Sequence, residues 1–102
     1  MDIEKMKSLM AKKGVVLVEF FATWCPHCQR MAPVVQDIEA LVEGRASVVT
    51  FDIDKNQELA EELQVESLPT FLLYRDGREV WRATGEMDGN IIVEHIQEAL
   101  AE

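Results

Sequence analysis

Apolar side chains recur at two different spacings along the chain, and the spacing predicts which elements form. A repeat of three to four positions, typical of amphipathic helices, covers 1–14, 26–43, 54–63 and 88–101. Short runs rich in β-branched and aromatic residues, typical of strands, cover 15–21, 47–53, 70–75 and 78–84. The resulting order, αβαβαββα, predicts an α/β fold in which helices cover both faces of a sheet.

Turn and cap residues mark several boundaries between these elements. Asp76 and Gly77 separate the last two strands, and such a pair favours the two-residue type I′ turn of a β-hairpin. Asp88 stands where it can cap the start of the last helix. Asp54, with Gln57 three positions later, resembles a capping box that would begin the third helix.

A single acidic residue interrupts the first strand. Glu19 lies among valines and phenylalanines in 15–21, a run typical of a strand buried on both faces. Burial disfavours the charged form of an unpaired carboxylate, so it raises the pKa and makes Glu19 a candidate proton donor and acceptor. The alternative is a glutamate at the edge of the strand with its side chain in solvent.

Length and charge narrow the partners and the location. The 102 residues fit one domain over 1–102 with a single core. The 10 lysines and arginines face 19 acidic residues, and the net charge of -9 repels nucleic acids and anionic membranes. No apolar run reaches the roughly 20 residues that span a bilayer, and the first fourteen residues lack the apolar stretch of an export signal. We therefore expect a soluble, cytoplasmic protein.

The only two cysteines, Cys25 and Cys28, stand where the first strand gives way to the longest helix. Free backbone N–H groups and the helix dipole stabilise a thiolate there, and Pro26 fits the first turn because its missing N–H would have no partner. The spacing lets both sulfurs meet across one turn as a reversible disulfide. We expect Cys25 to be the exposed, reactive thiol and Cys28 to be shielded.

Two other uses of the cysteine pair are a metal site and inert thiols. Zinc takes four ligands, and only His27 and His95 are available besides the cysteines. His95 lies far along the last helix, where we expect it to face solvent, so the sequence predicts no metal site.

The histidine between the cysteines is a candidate for tuning their chemistry. The ring N–H of His27 can donate to the Cys25 sulfur, and a protonated ring would favour the thiolate further. The alternative is a solvated histidine in the first turn of the helix.

The motifs around this pair resemble those of the thioredoxin family. After the run Val-Leu-Val-Glu-Phe-Phe-Ala-Thr-Trp-Cys-Pro-His-Cys come Met31-Ala32-Pro33, Leu68-Pro69-Thr70, Asp76-Gly77 and Gly85. The resemblance covers the chain from about residue 15 to its end. It implies a thioredoxin fold with a dithiol/disulfide active site and a mixed central sheet of about four strands flanked by helices. The N-terminal edge strand of a full thioredoxin is expected to be absent.

The resemblance also assigns roles by position. Cys25 resembles the attacking thiol, Cys28 the resolving thiol, and Glu19 occupies the place of the family's buried acid. Pro69 matches the family's cis-proline; taken alone, an X-Pro bond is more often trans. An extended substrate is expected to add as a strand beside Trp24. The residues expected to contact it are Ser67, Leu68, Pro69, Thr70, Thr84, Gly85 and Glu86.

The residues between the cysteines depart from thioredoxins. Pro26 and His27 replace the Gly-Pro of that family and resemble the bacterial thiol oxidase DsbA, as does a glutamate at position 19. No space remains in 102 residues for the inserted helical region of DsbA-like proteins. Potentials of this scaffold span roughly 150 mV, and we expect Trp24, Pro26 and His27 to tune this site toward the oxidising end.

We therefore expect a thiol-disulfide oxidoreductase that reduces protein disulfides without a cofactor. By resemblance it is a monomer, recharged by an electron donor like thioredoxin reductase. The rivals are a more oxidising thiol oxidase or isomerase, and a non-enzymatic module that binds a partner or a metal. A glutaredoxin fits less well, because no Gly-Gly motif follows Thr70 and Phe71.

Overall fold

The computed structural model describes residues 3–102. Its elements are α1 (Ile3–Met10), β1 (Val15–Phe21), α2 (Pro26–Val42), β2 (Ala46–Asp52), a 3-10 turn (Ile53–Lys55), α3 (Gln57–Glu62), β3 (Thr70–Arg75), β4 (Arg78–Thr84) and α4 (Gly89–Leu100). The predicted order of helices and strands is confirmed. The first two residues, which the sequence assigned to the start of the first helix, lie outside the described part.

The four strands form one mixed sheet in the order β2-β1-β3-β4. Strands β1 and β2 are parallel, whereas β1 pairs with β3 and β3 with β4 in the antiparallel sense. The prediction of a four-stranded mixed sheet is therefore confirmed. In the centre of the sheet, Glu19 is aligned with Thr50 on one side and with Phe71 on the other.

Two hydrophobic clusters lie on opposite faces of the sheet, because successive side chains of a strand point to opposite faces. In β1, Val16 and Val18 pack in the cluster that holds α1 and α3, and Val15 and Leu17 pack in the cluster that holds α2 and α4. Glu19 continues the second row, which directs its side chain toward the α2 side of the sheet.

The predicted hairpin and the cap of the last helix are both present. Asp76 and Gly77 have φ values of 50° and 83°, the left-handed conformation that a type I′ turn requires at both central positions. The carboxylate of Asp76 also accepts a 2.7 Å hydrogen bond from the backbone N–H of Gly14, which joins the hairpin to the turn before β1. Asp88 caps α4 by accepting from the N–H of Asn90.

The predicted boundaries of two helices are wrong. The first helix ends at Met10 rather than continuing to residue 14, and the chain reaches β1 through Gly14, whose φ is 97°. The third helix begins after Asn56, not at Asp54, because the chain between β2 and α3 first forms the 3-10 turn. Asp52 caps that turn by accepting from the N–H of residue 54. None of the described helices is both long and apolar enough to cross a membrane.

Candidate active site

The first cysteine caps the longest helix. Cys25 has extended backbone angles, Pro26 follows as the first helical residue, and the sulfur of Cys25 accepts a 3.2 Å hydrogen bond from the backbone N–H of Cys28. A negative charge on this sulfur is stabilised by that N–H and by the positive end of the helix dipole. The local sequence therefore places the Cys25 sulfur at the positive end of α2, within reach of a backbone N–H donor.

The predicted difference in exposure between the two cysteines is wrong. Both are free thiols, and each leaves only 4% of its surface accessible. The two cysteines pack with Ala22, and partly buried Phe21, Ile53 and Leu68 surround them. The Cys25 sulfur is therefore largely covered before a substrate binds.

The second cysteine is held in its protonated form. Burial, together with contact with the Cys25 sulfur, raises the pKa of the Cys28 thiol to about 12. The Glu19 carboxylate acts in the same direction, since a negative charge nearby disfavours a second one. Cys28 thus needs a base before it can attack a disulfide.

Glu19 is buried and lines the same pocket as that thiol. Its surface is 4% exposed, which rejects the alternative of a solvated glutamate, and burial raises its pKa to about 7. Glu19 and Cys28 line the same open pocket of about 500 Å3, between β1, β2 and α2. Thr50 and Glu39 line the same pocket.

One flank of the dithiol is fixed through the tryptophan before it. Trp24 is 64% exposed, yet its indole N–H donates a 2.8 Å hydrogen bond to the carboxylate of Asp54. Asp54 is thus not the helix cap that the sequence suggested. The 3-10 turn directs the Asp54 side chain toward the loop that carries Trp24. The apolar ring of Trp24, next to Cys25 in the chain, remains exposed to solvent.

The other flank contradicts the predicted contact of the histidine. Nδ1 of His27 lies 2.6 Å from Oε1 of Glu86 and 3.0 Å from Nη2 of Arg30; it donates to the carboxylate when it carries a proton and accepts from the guanidinium when it does not. His27 therefore pairs with the loop after β4 rather than donating to the Cys25 sulfur. Glu86, expected among the substrate-binding residues, is already occupied by this histidine and by Arg30.

The loop that carries the predicted cis-proline lies against the dithiol. The Leu68–Pro69 bond is cis, as the resemblance implied, and Leu68 packs against the cysteines. The carbonyl of Ser67 accepts from the hydroxyl of Thr70, and the carbonyl of Pro69 accepts a 2.8 Å hydrogen bond from the N–H of Gly85. The backbone of Leu68 is thus held between two anchored carbonyls, next to β4, which ends at residue 84.

The second histidine is remote from the cysteines and is not simply solvated. The ring of His95 stacks on Trp81 with a centroid separation of 4.3 Å and an interplanar angle of 17°. The expectation that it faces solvent holds only in part, because the side chain is 33% exposed and the indole on β4 covers one face of the ring. Within residues 3–102, no group of three or more His, Cys, Asp or Glu side chains is arranged to hold a metal ion.

Comparison with known proteins agrees with this geometry. The family model described as thioredoxin matches residues 3–98. The chain belongs to the thioredoxin family. Within it, the chain is 40% identical over 85 residues to the chloroplastic thioredoxin Y2 of Arabidopsis thaliana, a match that covers 83% of this chain and 51% of that relative. The chain thus spans about half the length of the first of the curated relatives it matches.

A bacterial relative and a solved structure extend the match. Thioredoxin of Staphylococcus aureus is 39% identical over 74 residues, covering 72% of this chain and 71% of the relative. A mutant thioredoxin from Halobacterium salinarum NRC-1 superposes with a TM-score of 0.85 at 32% identity, covering 98% of this chain and 87% of that one. The thioredoxin fold expected from the motifs is therefore confirmed.

Two residues of this thioredoxin-like site were missed by the sequence reasoning. Arg30 stands three positions after His27 on the same face of α2, a spacing that signals a shared partner. The partner itself, Glu86, lies 56 residues further along the chain. For Asp54 the local sequence predicts a helix cap, whereas its carboxylate accepts a hydrogen bond from Trp24, 30 residues earlier in the chain.

Proposed function

We propose that this protein is a thiol-disulfide oxidoreductase that reduces protein disulfides by dithiol exchange at Cys25 and Cys28. The observation that carries the proposal is the pair of free thiols at the start of α2, one capping the helix and the other beside a buried acid. Membership of the thioredoxin family supports the same chemistry.

The first step is attack on the substrate by the helix-capping sulfur. The Cys25 thiolate attacks one sulfur of the substrate disulfide, the substrate S–S bond breaks, and a mixed disulfide forms. The departing substrate sulfur leaves as a thiolate and takes a proton from solvent. The N–H of Cys28 and the helix dipole favour the attacking thiolate before the substrate arrives.

The second step requires that the buried thiol lose its proton. With a pKa of about 12, Cys28 is protonated at neutral pH, whereas Glu19, with a pKa of about 7, is present in both forms. Ionised Glu19 accepts the Cys28 proton, and the Cys28 thiolate attacks the Cys25 sulfur of the mixed disulfide. The substrate leaves with both sulfurs reduced, and Cys25 and Cys28 are oxidised to a disulfide.

Substrate binding is proposed to use the backbone beside the dithiol. Leu68 lies next to the cysteines between two anchored carbonyls, so an extended chain can pair with it as an added strand. Trp24 would supply an exposed apolar ring to this binding surface. Thr84 and Gly85 would border the surface next to the cis-proline loop, because Thr84 pairs with Thr70 and Gly85 bonds Pro69. Backbone pairing gives affinity without requiring one particular substrate sequence.

The proposal extends to the domain organisation, oligomeric state, location and partners of the protein. We infer that residues 1–102 work as one domain and as a monomer in the cytoplasm. The substrates are proteins with accessible disulfides, and an electron donor resembling thioredoxin reductase restores the dithiol. The exchange uses only protein sulfurs, so we propose no cofactor.

Single-cysteine variants test this function. Reduced protein should reduce a disulfide-linked test protein such as insulin, and Cys25→Ser should abolish this activity because the attacking sulfur is lost. Cys28→Ser should instead trap substrates as mixed disulfides through Cys25, visible on non-reducing gels. Trapping through Cys28 in the Cys25→Ser protein would reverse the assigned roles. An equilibrium potential in the range of strong oxidases, near −120 mV, would favour the oxidase alternative.

A further inference from the structure

The pocket that Glu19 and Cys28 share, here called the Glu19 pocket, has a volume of about 500 Å3 and opens between β1, β2 and α2. Small-molecule sites in proteins typically enclose roughly 300–1,000 Å3. The wall is largely apolar, with side chains from both strands and from the helix. Its apolar residues are Phe21, Ala22, Ala32, Val35 and Val48. Size and wall together suit the apolar part of a small organic molecule.

One buried carboxyl group reaches this pocket without a partner. Glu19 is 4% exposed, and its carboxyl forms no hydrogen bond or ion pair with any of residues 3–102. No fully buried side-chain oxygen or nitrogen in this part of the chain lacks a hydrogen bond, so the unpaired oxygens of Glu19 must be accessible from the pocket. The pocket therefore contains a strong acceptor that the described chain leaves unused.

The other polar groups of the pocket favour a cation. A second carboxyl group, that of exposed Glu39, lines the pocket, and no lysine, arginine or histidine does so. Hydroxyl and amide oxygens that can accept hydrogen bonds come from Thr23, Gln29, Gln36 and Thr50. A metal ion fits poorly, since no group of three or more His, Cys, Asp or Glu side chains among the described residues is arranged to hold one. An organic ammonium ion fits better, because it carries three N–H donors on an apolar stem.

We propose that the Glu19 pocket is a binding site for a small amphipathic amine. The ammonium group pairs with the Glu19 carboxylate, and the apolar part of the ligand lies along the wall that contains Val35 and Val48. The ligand thus supplies the charge partner that the described chain does not give this buried acid, and it favours the ionised form of Glu19. The site goes beyond the exchange steps, which use Glu19 and Cys28 without any ligand.

Occupancy of the pocket has one consequence that rests on the proposed function of the dithiol. A Glu19 carboxylate that is paired with an ammonium ion is a weaker base, so it accepts the Cys28 proton less readily. A bound amine therefore slows resolution of the mixed disulfide. Attack by Cys25 does not use Glu19, so the rate of that step stays unchanged.

The experiment titrates the reduced protein with 2-phenylethylamine and follows the backbone amide signals by NMR. The alcohol 2-phenylethanol serves as an uncharged ligand of the same shape. The amine should bind saturably, with shifts concentrated around the pocket in β1, β2 and α2, and about tenfold more tightly than the alcohol. Glu19→Gln should weaken amine binding about tenfold, the loss expected when a buried charge-assisted hydrogen bond is removed.

The pH dependence of binding gives a second test. Because the pKa of Glu19 is about 7, its ionised fraction rises from about one tenth at pH 6 to about nine tenths at pH 8. The amine should therefore bind about tenfold more tightly at pH 8. The Cys28 thiol, with a pKa of about 12, stays protonated over this range, and Glu39 is the other titratable group that lines the pocket. Glu39→Gln should keep the pH dependence, and Glu19→Gln should remove it.

Asp37→Asn is the control for the general attraction of cations by a net charge of -9, since Asp37 is exposed on α2 and does not line the pocket. It should leave the affinity for the amine unchanged. Equal affinities for amine and alcohol, full affinity in Glu19→Gln, or an equal loss in Asp37→Asn would each overturn the proposal. Binding needs no disulfide substrate, so its failure is distinct from failure to reduce insulin. Saturable binding that leaves resolution unslowed would support the site and count against Glu19 as the base for Cys28.

Discussion

Two glutamates lie on opposite sides of the dithiol, and their environments shift the two carboxyl pKa values in opposite directions. On the inner side, Glu19 lies in the central strand, where burial raises its pKa to about 7. On the outer side, Glu86 lies at the surface, where hydrogen bonds from Arg30 and His27 lower its pKa to about 2. Environment, not residue type, decides which carboxyl can exchange a proton near neutral pH and which remains a fixed charge.

This difference matches the needs of the two sulfurs. Cys28 lines the pocket that contains Glu19, and its raised pKa means that it would have to give up a proton in the proposed exchange. Cys25 caps the helix and attacks as a thiolate in the proposed exchange, and the N–H of Cys28 and the helix dipole act on its sulfur. In the proposed exchange, the inner carboxyl therefore transfers protons, whereas the outer carboxyl stays charged.

The largest test of this comparison is the loss of the inner acid. Glu19→Gln should slow resolution of the mixed disulfide about 100-fold at pH 7, the lower end of what a general base contributes. The attack step should change little. An aromatic disulfide whose thiolate product absorbs visible light reports both steps, because the first equivalent is released on attack and the second on resolution.

Asp37→Asn is the control for that experiment, since it removes an exposed carboxylate from α2, the helix that carries Cys28. Its two phases should match those of the parent protein. If Glu19→Gln slows the attack phase and leaves resolution unchanged, the inner acid is not the base for Cys28.

The next test concerns stability and its dependence on pH. The pKa of Glu19 is about 7 in the folded chain and near its ordinary value of 4.5 when unfolded, so between these values the folded state binds the extra proton. Stability must therefore fall as pH rises through this interval. A difference of 2.5 in pKa corresponds to about 3 kcal/mol of unfolding free energy, lost by about pH 8.

Urea denaturation at pH 4.5 and pH 8 measures this loss. The parent protein should lose about 3 kcal/mol more than Glu19→Gln over this range, because the amide does not titrate. Equal losses in the two proteins would mean that Glu19 titrates alike in the folded and unfolded chains. The desolvated carboxyl on the inner side would then be ruled out.

The inner side of the site was largely predictable from sequence and the outer side was not. Glu19 stands in an apolar strand, and the alternation of side chains along β1 is enough to direct it toward α2. The hairpin at Asp76 and Gly77 and the cap at Asp88 are likewise local patterns whose meaning does not depend on distant residues. Such features follow from backbone conformation and burial alone.

The missed features are contacts between residues far apart in the chain. His27 had two candidate roles at the sequence level, and the carboxylate that decides between them comes from the loop after β4. The burial of Cys25 likewise depends on Leu68 and Ile53, which the fold brings onto the loop. A local pattern cannot reveal a partner that tertiary structure supplies, and at Asp54 a local pattern even suggested a competing role.

The smallest predicted effect belongs to the outer carboxyl. Because the pKa of Glu86 is lowered to about 2, it stabilises the fold fully above its unfolded value of 4.5, and this contribution disappears as pH falls through about 2. Glu86 is exposed, so water and salt screen the interaction and the change in melting temperature for Glu86→Gln should be slight at pH 7 and smaller still in 1 M salt. The two melting temperatures should converge near pH 2. An NMR titration of the side-chain carboxyl carbon provides the direct reading, and a midpoint near 4.5 would show that Arg30 and His27 do not hold this carboxylate in solution. The contrast between the two sides of the dithiol would then rest on Glu19 alone.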